Sequence, residues 1–335
     1  LPVVASLRRA WPESRIAWAI QPGPHRLMRG HPAVERFLLF RRELGMRALG
    51  DFRRQVRPLR FDLVLDCHRH FKAGLVTWMA DAPVKLGFDR RRARDFTWLF
   101  TTHRLPAREP GHVQEGYFEF LEYLGVPVVR EWDFHFTEEE EAARRAFFTR
   151  LGAPGLAVVL RSSRPEKDWT LEGFARVLEM AVDLGLRPLL VGGRTAPEER
   201  AAAELRAVCR APVEDARADD PRRLAWLLAG SAVALAPDTG PLHIAVALGT
   251  PTVGLYGATD PRRSGPYERF GELLVDRYPA RGARRPSPRV RPEGMRRITV
   301  SEVGEKLELA VRRYVREPGS ATRGGSGPTG ARNEH

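Results

Sequence analysis

Cysteine, lysine and long apolar runs are all scarce in this chain, and each scarcity removes a class of protein. Two cysteines in 335 residues, Cys67 and Cys209, cannot build a disulfide framework. Standing far apart, they are expected to be reduced in a cytoplasmic protein, with one long-range disulfide as the alternative. The longest unbroken apolar stretches, such as Leu156 to Leu160 and Leu189 to Val191, are far too short to cross a bilayer as helices. Leu1 to Trp11 reads as an amphipathic helix, not as the continuous apolar segment of a secretory leader. Lysine supplies only four of the 55 basic residues, so the formal net charge of +13 is carried almost wholly by arginine. Genome composition is one reading of that bias and needs no ligand. The charge otherwise reads either as a solvated basic surface, sharpened by the cluster from Arg281 to Arg297, or as attraction to phosphorylated partners or an anionic membrane. Nucleic acid would suit the same sign, but no helix-turn-helix, zinc finger or basic-aromatic platform supports it.

What is present is an alternation of short apolar strands and amphipathic helices. With 43% hydrophobic residues, the chain has material for two cores of ordinary size. The first half begins with a helix over Val3 to Trp11. Buried strands are predicted at Arg15 to Ile20, Phe37 to Phe40 and Phe61 to Asp66. Helical spacing covers Met46 to Val56, Lys72 to Met79 and Val113 to Leu124. An α/β domain normally opens on a strand, so an initial helix predicts that a first strand is lacking. The pattern weakens over Val126 to Thr137, which reads as a linker.

The second half is more regular. Helices are predicted at Glu138 to Leu151, Leu171 to Leu184, Pro197 to Cys209, Leu224 to Leu228, Leu242 to Leu248 and Val300 to Tyr314. Strands are predicted at Leu156 to Leu160, Pro188 to Val191, Ala232 to Leu235 and Thr252 to Tyr256. Strands without polar alternation, separated by helices, argue for a parallel sheet covered on both faces. The expected organisation is α/β, with a domain over residues 1–135, a second over 136–316 and a disordered tail over 317–335.

Four strand-end loops of the second half carry candidate chemistry. Asp238-Thr239-Gly240-Pro241 follows a strand and opens a helix, whose free amide groups suit a diphosphate. Gly240 permits close backbone approach, and His243 lies within a turn of it. Alternatively, Asp238 and Thr239 only cap the helix. Ser162 and Ser163 offer hydroxyl donors, and Lys167 a cation, after the strand ending at Leu160. Trp169 reads as packing rather than as a base-stacking platform. Gly192-Gly193 leads to Glu198 and Glu199, either of which suits a ribose hydroxyl or the helix terminus. Gly257 to Pro261, with Ser264 to Tyr267 behind it, is the fourth loop. None matches a Walker lysine loop or a Gly-x-Gly-x-x-Gly fingerprint, and their convergence says more than any one of them. In the first half, Asp66 ends a strand where α/β proteins place ligand contacts. A zinc site from Asp66, Cys67, His68 and His70 matches no strong metal spacing; a local loop network or acceptor contacts fit better. Arg8, Arg9 and Arg15, the loop Arg90, Arg91, Arg92 and Arg94, and Lys72 are candidate steering charges for an anionic partner.

Taken together, DTGPLH at Asp238 to His243, PTVGLYGATDP at Pro251 to Pro261, SGPY at Ser264 to Tyr267 and SSRPEKDW at Ser162 to Trp169 resemble the ADP-heptose-type lipopolysaccharide heptosyltransferases, glycosyltransferase family 9. The resemblance reaches back through Leu1 to Trp18 and covers nearly all of residues 1–315. It implies a GT-B fold, two Rossmann-like domains facing across a cleft, with the acceptor on the first and an ADP-sugar on the second. Carried over, Ser162, Ser163 and Lys167 hold the diphosphate, Thr239 and Gly240 complete its cradle, and Asp238 and His243 organise the pocket. Lys167 and His243 are the catalytic residues so implied, Glu198 meets the ribose with Glu199 as competitor, and Asp66 and Lys72 belong to the acceptor side. The reaction implied is metal-independent and inverting, with no cofactor and ADP as leaving group. Its partners would be the ADP-sugar donor and an anionic lipid-linked glycan, met peripherally at the cytoplasmic face of the inner membrane, and no nucleic acid. The family's general base sits in a Gly-Asp loop that would precede Leu1, and the loop from Asp66 to Lys72 departs from the usual Asp-x-Gln-Gly wording. A noncatalytic nucleotide-sugar-binding protein therefore stands as the alternative. An aspartic protease does not, because it needs two carboxylates sharing a proton and Asp-Thr-Gly occurs once.

Overall fold

The computed structural model describes residues 1–280 and 282–316. The tail expected to be disordered, residues 317–335, and Arg281 lie outside the described residues. The first half runs α1 (Pro2–Ala10), β1 (Ala17–Ile20), α2 (Pro22–Met28), β2 (Arg36–Leu39), α3 (Arg47–Val56), β3 (Leu63–Asp66), α4 (Phe71–Met79), β4 (Val84–Gly87), β5 (His103–Arg104) and α5 (Val113–Tyr123). The second runs α6 (Glu138–Leu151), β6 (Gly155–Val158), α7 (Leu171–Asp183), β7 (Arg187–Leu190), α8 (Ala196–Val208), β8 (Glu214–Asp215), α9 (Pro221–Gly230), β9 (Val233–Pro237), α10 (Gly240–Ala247), β10 (Thr252–Tyr256), α11 (Pro261–Ser264), β11 (Leu274–Asp276) and α12 (Val300–Ala310). No helix among the described residues is long and apolar enough to cross a membrane.

Six parallel strands form the second-half sheet in the order β8-β7-β6-β9-β10-β11. This is the doubly wound arrangement, with its switch point between β6 and β9. Strands β6, β9 and β10 are buried at every residue, which is why their sequences lack polar alternation. Alternate side chains feed two cores. Leu156, Val158, Val233 and Leu235 pack with Phe174, Leu178, Leu205 and Leu307 of α7, α8 and α12. Ala157, Ala234, Ala236 and Tyr256 pack with Phe147, Trp226, Leu242 and Ala245 of α6, α9 and α10. Capping boxes pairing Thr137 with Glu140 and Thr299 with Glu302 set the starts of α6 and α12.

The first half departs from the expected single Rossmann-like sheet. Parallel β1-β2 and parallel β3-β4-β5 are two separate sheets. They are bridged by α3 and α4, whose Phe52, Val56 and Val76 cluster with Ala17, Leu38 and Val64 from both. The expected buried strand at Arg15 to Ile20 is only partly covered, with Ala19 exposed.

The halves meet along two flanks. On one, Arg222 of α9 donates to Leu27 O at 3.1 Å, Phe134 O at 2.8 Å and His135 O at 2.9 Å while pairing with Glu140. On the other, His112, capping α5, reaches Gly265 O at 3.1 Å, and Arg130 pairs with Glu268 at 3.0 Å. Between these flanks, Arg69 beyond the end of β3 lies within electrostatic reach of Arg263 beyond the end of β10, and His112 within reach of His243 on α10.

The family-like glycine at 257 serves packing rather than a ligand. A Cβ there would lie 2.3 Å from Met295 N, and one on Gly294 would lie 2.1 Å from Gly257 O. Gly257→Ala is therefore expected to destabilise the protein by about 1–3 kcal/mol, read as a lowered denaturation midpoint. An unchanged midpoint would mean that the 292–297 turn yields freely.

Candidate functional site

Asp238 sits at the end of β9 on the switch point, almost wholly buried, and four side chains converge on it. Lys167 Nζ donates to Oδ2 at 2.8 Å and to the Asp238 carbonyl at 3.3 Å. Thr259 Oγ1 donates to Oδ2 at 2.7 Å, His243 Nε2 lies 3.1 Å from Oδ1, and the Tyr256 hydroxyl donates weakly to Oδ1 at 3.4 Å. Burial alone would raise the carboxyl pKa, but the hydrogen bonds from His243, Lys167 and Thr259, with the lysine charge, more than offset it and hold Asp238 well below the usual carboxylate range. Tyr256 is pushed the other way, by burial and then by the adjacent Asp238 charge, so it stays a neutral donor.

The local sequence explains each position. β6 delivers the Arg161 to Trp169 loop, which is folded by its own polar groups. Ser162 N donates to Asp168 Oδ1 at 2.6 Å, Ser162 Oγ accepts from Arg164 N at 3.2 Å, and Trp169 Nε1 donates to Ile298 O at 3.1 Å. Trp169 thus packs the loop down, as expected. The turn Pro165–Lys167 then aims Lys167 across the switch point at Asp238. Thr239 is the N-cap of α10, its hydroxyl accepting from Leu242 N at 3.5 Å. Gly240 meets nothing within 4 Å of where a Cβ would be, so the chain itself does not require glycine there. The space lies over free amide groups at the start of α10, where an anion can approach. Ser163 is exposed at the same loop.

Glu198 and Glu199 are both engaged by protein. Glu198 forms the capping box of α8 with Thr195 and also accepts from Gly193 N at 3.0 Å. Glu199 pairs with Arg194 at 3.1 Å and Arg217 at 3.0 Å. Glu198 also shares with Arg161 and Arg217 the wall of a small cavity at the ends of β6 and β7.

Across the cleft, Asp66 is buried with Oδ1 accepting from His68 N at 3.1 Å. Its other oxygen is buried without a well-placed partner, the Thr77 hydroxyl being close by, and burial raises its pKa. Asp66 therefore shapes the loop from inside, whereas Lys72 is exposed. Sequence reasoning missed Arg69 and Arg263, which lie within electrostatic reach of each other from the two halves. Neither has a carboxylate partner among the described residues, and Arg69, lying 4.4 Å over the Phe88 ring, has its pKa lowered by burial and then by Arg92, Arg263 and Arg94. His112 was also missed. Burial is the chief cause of its lowered pKa. The signal was there in Arg69, which stands where the family wording has glycine. Among the described residues no group of three or more His, Cys, Asp or Glu is gathered as a metal cage, and Asp66, Cys67, His68 and His70 do not form one.

A depressed Asp238 pKa carries a pH dependence. The folded value lies below the unfolded one near 3.8, so its stabilisation is complete above about pH 4–5 and is lost as pH falls toward the folded pKa. Asp238→Asn is expected to flatten the acid limb of a stability–pH curve. A parallel limb in both proteins would show that Asp238 does not titrate this way.

The surroundings of this site match known proteins along most of the chain. A family model for glycosyltransferase family 9 (heptosyltransferase) matches residues 49–285. The lipopolysaccharide core heptosyltransferase OpsX of Haemophilus influenzae is 26% identical over 276 residues, which is 82% of this chain and 79% of that protein. Lipopolysaccharide heptosyltransferase 1 of Escherichia coli is 29% identical over 282 residues, or 80% of this chain and 86% of that one. The solved structure of a family 9 glycosyltransferase from Veillonella parvula superposes with a TM-score of 0.76 at 20% identity, covering 93% of this chain and 92% of that one. E. coli heptosyltransferase WaaC with ADP gives a TM-score of 0.72 at 25% identity, covering 92% and 94%. Two α/β units opening a cleft at their strand ends are the GT-B architecture, and the chain belongs to glycosyltransferase family 9, the heptosyltransferases.

Proposed function

We propose that this chain transfers a heptose or closely related sugar from an ADP-sugar to a lipopolysaccharide core or Kdo–lipid A-type acceptor, at the cytoplasmic face of the inner membrane. The observation that carries the reading is the cation Lys167, fixed by buried Asp238 beneath the open N-terminus of α10. Residues 136–316 form the donor domain and 1–135 the acceptor domain. The diphosphate lies against Lys167, Ser162, Ser163, Thr239 and the Gly240 amide, with His243 beside it and the ribose toward Glu198. An acceptor hydroxyl oxygen attacks the anomeric carbon from the opposite face, inverting it, as the bond to the diphosphate oxygen breaks; ADP leaves with the bonding electron pair, and the hydroxyl proton passes to water. Lys167 and the α10 amides stabilise the charge that develops on departing ADP, so no metal is needed. Arg69 and Arg263, cations without carboxylate partners among the described residues, suit the carboxylate or phosphate of the acceptor, and Lys72 is a further exposed cation three residues beyond Arg69.

The test is release of ADP from ADP-heptose in EDTA, with and without a Kdo–lipid A acceptor. Acceptor-dependent release is expected. Tight ADP binding with no acceptor-dependent release would instead support a noncatalytic binding protein. Arg69→Ala is expected to raise the acceptor KM about tenfold while leaving ADP affinity unchanged. Equal acceptor KM values would remove Arg69 from the acceptor site.

A further inference from the structure

Four large apolar side chains stand in water on one side of the first half. Phe71 and Trp78 of α4 are 45% and 56% exposed, and Phe96 and Leu99, at the turn Thr97–Phe100, are 67% and 60% exposed. Seven residues apart, Phe71 and Trp78 share a face of α4. The turn is held against α4 by Phe100, whose ring lies 2.4 Å from where a Cβ on Gly74 would be and 5.6 Å from the ring of Phe71. Phe71 N also donates to Asp95 at 3.5 Å, which ties the Phe96 loop to the start of α4. The exposed residues therefore belong to one surface. Phe96 projects from a backbone at φ +59, next to Asp95 at +51, in the left-handed region that bulky side chains avoid.

The charges around this surface sort into two kinds. Arg92 is buried and neutralised by Asp89 and Glu119, so it belongs to the core and not to the basic loop that the sequence suggested. Arg8, Arg9 and Arg15 are likewise committed, to backbone carbonyls, Glu131 and Glu35. Arg90, Arg91, Arg94 and Lys72 are exposed, and none has a carboxylate within ion-pair distance among the described residues. The one acid of the patch, Asp95, faces His70 at 3.3 Å.

We infer that this face of α4 and the 97–100 turn is a membrane-docking surface, in which Phe71, Trp78, Phe96 and Leu99 enter the headgroup boundary and the unpaired arginines meet anionic phospholipids. Exposed aromatic and aliphatic side chains ringed by cations are the combination that an anionic interface rewards. A second copy of the chain would oppose arginine to arginine across the same patch. The contact is distinct from the transfer reaction; it rests on the membrane location proposed above and not on which sugar is moved. Its position is nevertheless apt, because Arg94 N donates to Arg69 O at 2.9 Å, so the docked loop adjoins the acceptor side of the cleft.

The test is co-sedimentation of the full chain with vesicles of about one-third phosphatidylglycerol in phosphatidylcholine, against phosphatidylcholine alone. Binding should require the anionic lipid and weaken with salt. Arg91→Glu with Arg94→Glu is expected to lower partition at least about twentyfold, and Phe96→Ser with Leu99→Ser at least about tenfold, with melting temperatures unchanged because the side chains are exposed. Trp78→Phe should still sediment but lose much of the fluorescence quenching by brominated lipid. Partition indifferent to these changes, quenching unaltered in Trp78→Phe, or lipid-free self-association that the same variants abolish would each overturn the inference.

Discussion

Asp238→Ala is expected to lower stability by about 3–5 kcal/mol, a fall in melting temperature of roughly 10 °C, and to weaken ADP binding more than tenfold. The carboxylate is the shared acceptor of Lys167, Thr259, His243 and Tyr256. Without it Lys167 Nζ keeps only the 3.3 Å bond to the residue-238 carbonyl, and its charge is left mostly buried. Tyr256 fares better, because its hydroxyl also donates to Ser264 O at 2.8 Å. Asp238→Asn retains an acceptor for Thr259 and should fall between the alanine variant and the parent. Differential scanning calorimetry and ADP titration on the three proteins check the order. A fully stable alanine variant would mean that the cluster is only a cap for α10.

Lys167→Ala is expected to weaken ADP binding roughly a hundredfold. A charged hydrogen bond to phosphate contributes about 1.5–3 kcal/mol, and removing the cation also leaves the Asp238 charge facing the diphosphate. Stability should fall less than in Asp238→Ala, since His243 and Thr259 still satisfy the carboxylate. Adding Asp238→Asn to Lys167→Ala should recover part of the lost ADP affinity by removing that repulsion. Strict additivity of the two changes in a double-mutant cycle would show that the pair does not act as a unit. Gly240→Ala offers a contrast. With open space where its Cβ would go, it should leave folding unchanged and hinder the ligand.

Legibility followed burial. The second half could be read almost element by element, because β6, β9 and β10 are covered on both faces and appear as unbroken apolar runs. Where strands are half-covered or very short, the pattern fails. β4 carries Lys85 in its middle, and β11 is three residues long. α2 was hidden by Pro22-Gly23-Pro24, which reads as a breaker but occupies the first helical turn, where proline is tolerated. The split of the first-half sheet was foreshadowed only by the opening helix, since which strands pair is a tertiary outcome. At the site, Lys167, Thr239 and His243 were legible because each lies beside a strand end. That Tyr256 and Thr259 close on Asp238 was not, because only the parallel pairing of β9 with β10 brings them there. Glu198 shows the limit most plainly. Its spacing from Thr195 fits a capping box and a ribose contact equally, and the structure shows the first.

The measurement that bears most directly on the donor site is a calorimetric titration of ADP into the protein in excess EDTA, repeated with Lys167→Ala at matched folding. Saturable ADP binding in EDTA, lost by about two orders of magnitude in the variant while UDP binds more weakly to the parent, is the expected result. Binding abolished by EDTA and restored by Mg²⁺, or equal affinity in parent and Lys167→Ala, would contradict a metal-independent ADP-sugar site built on Lys167, Asp238 and the start of α10.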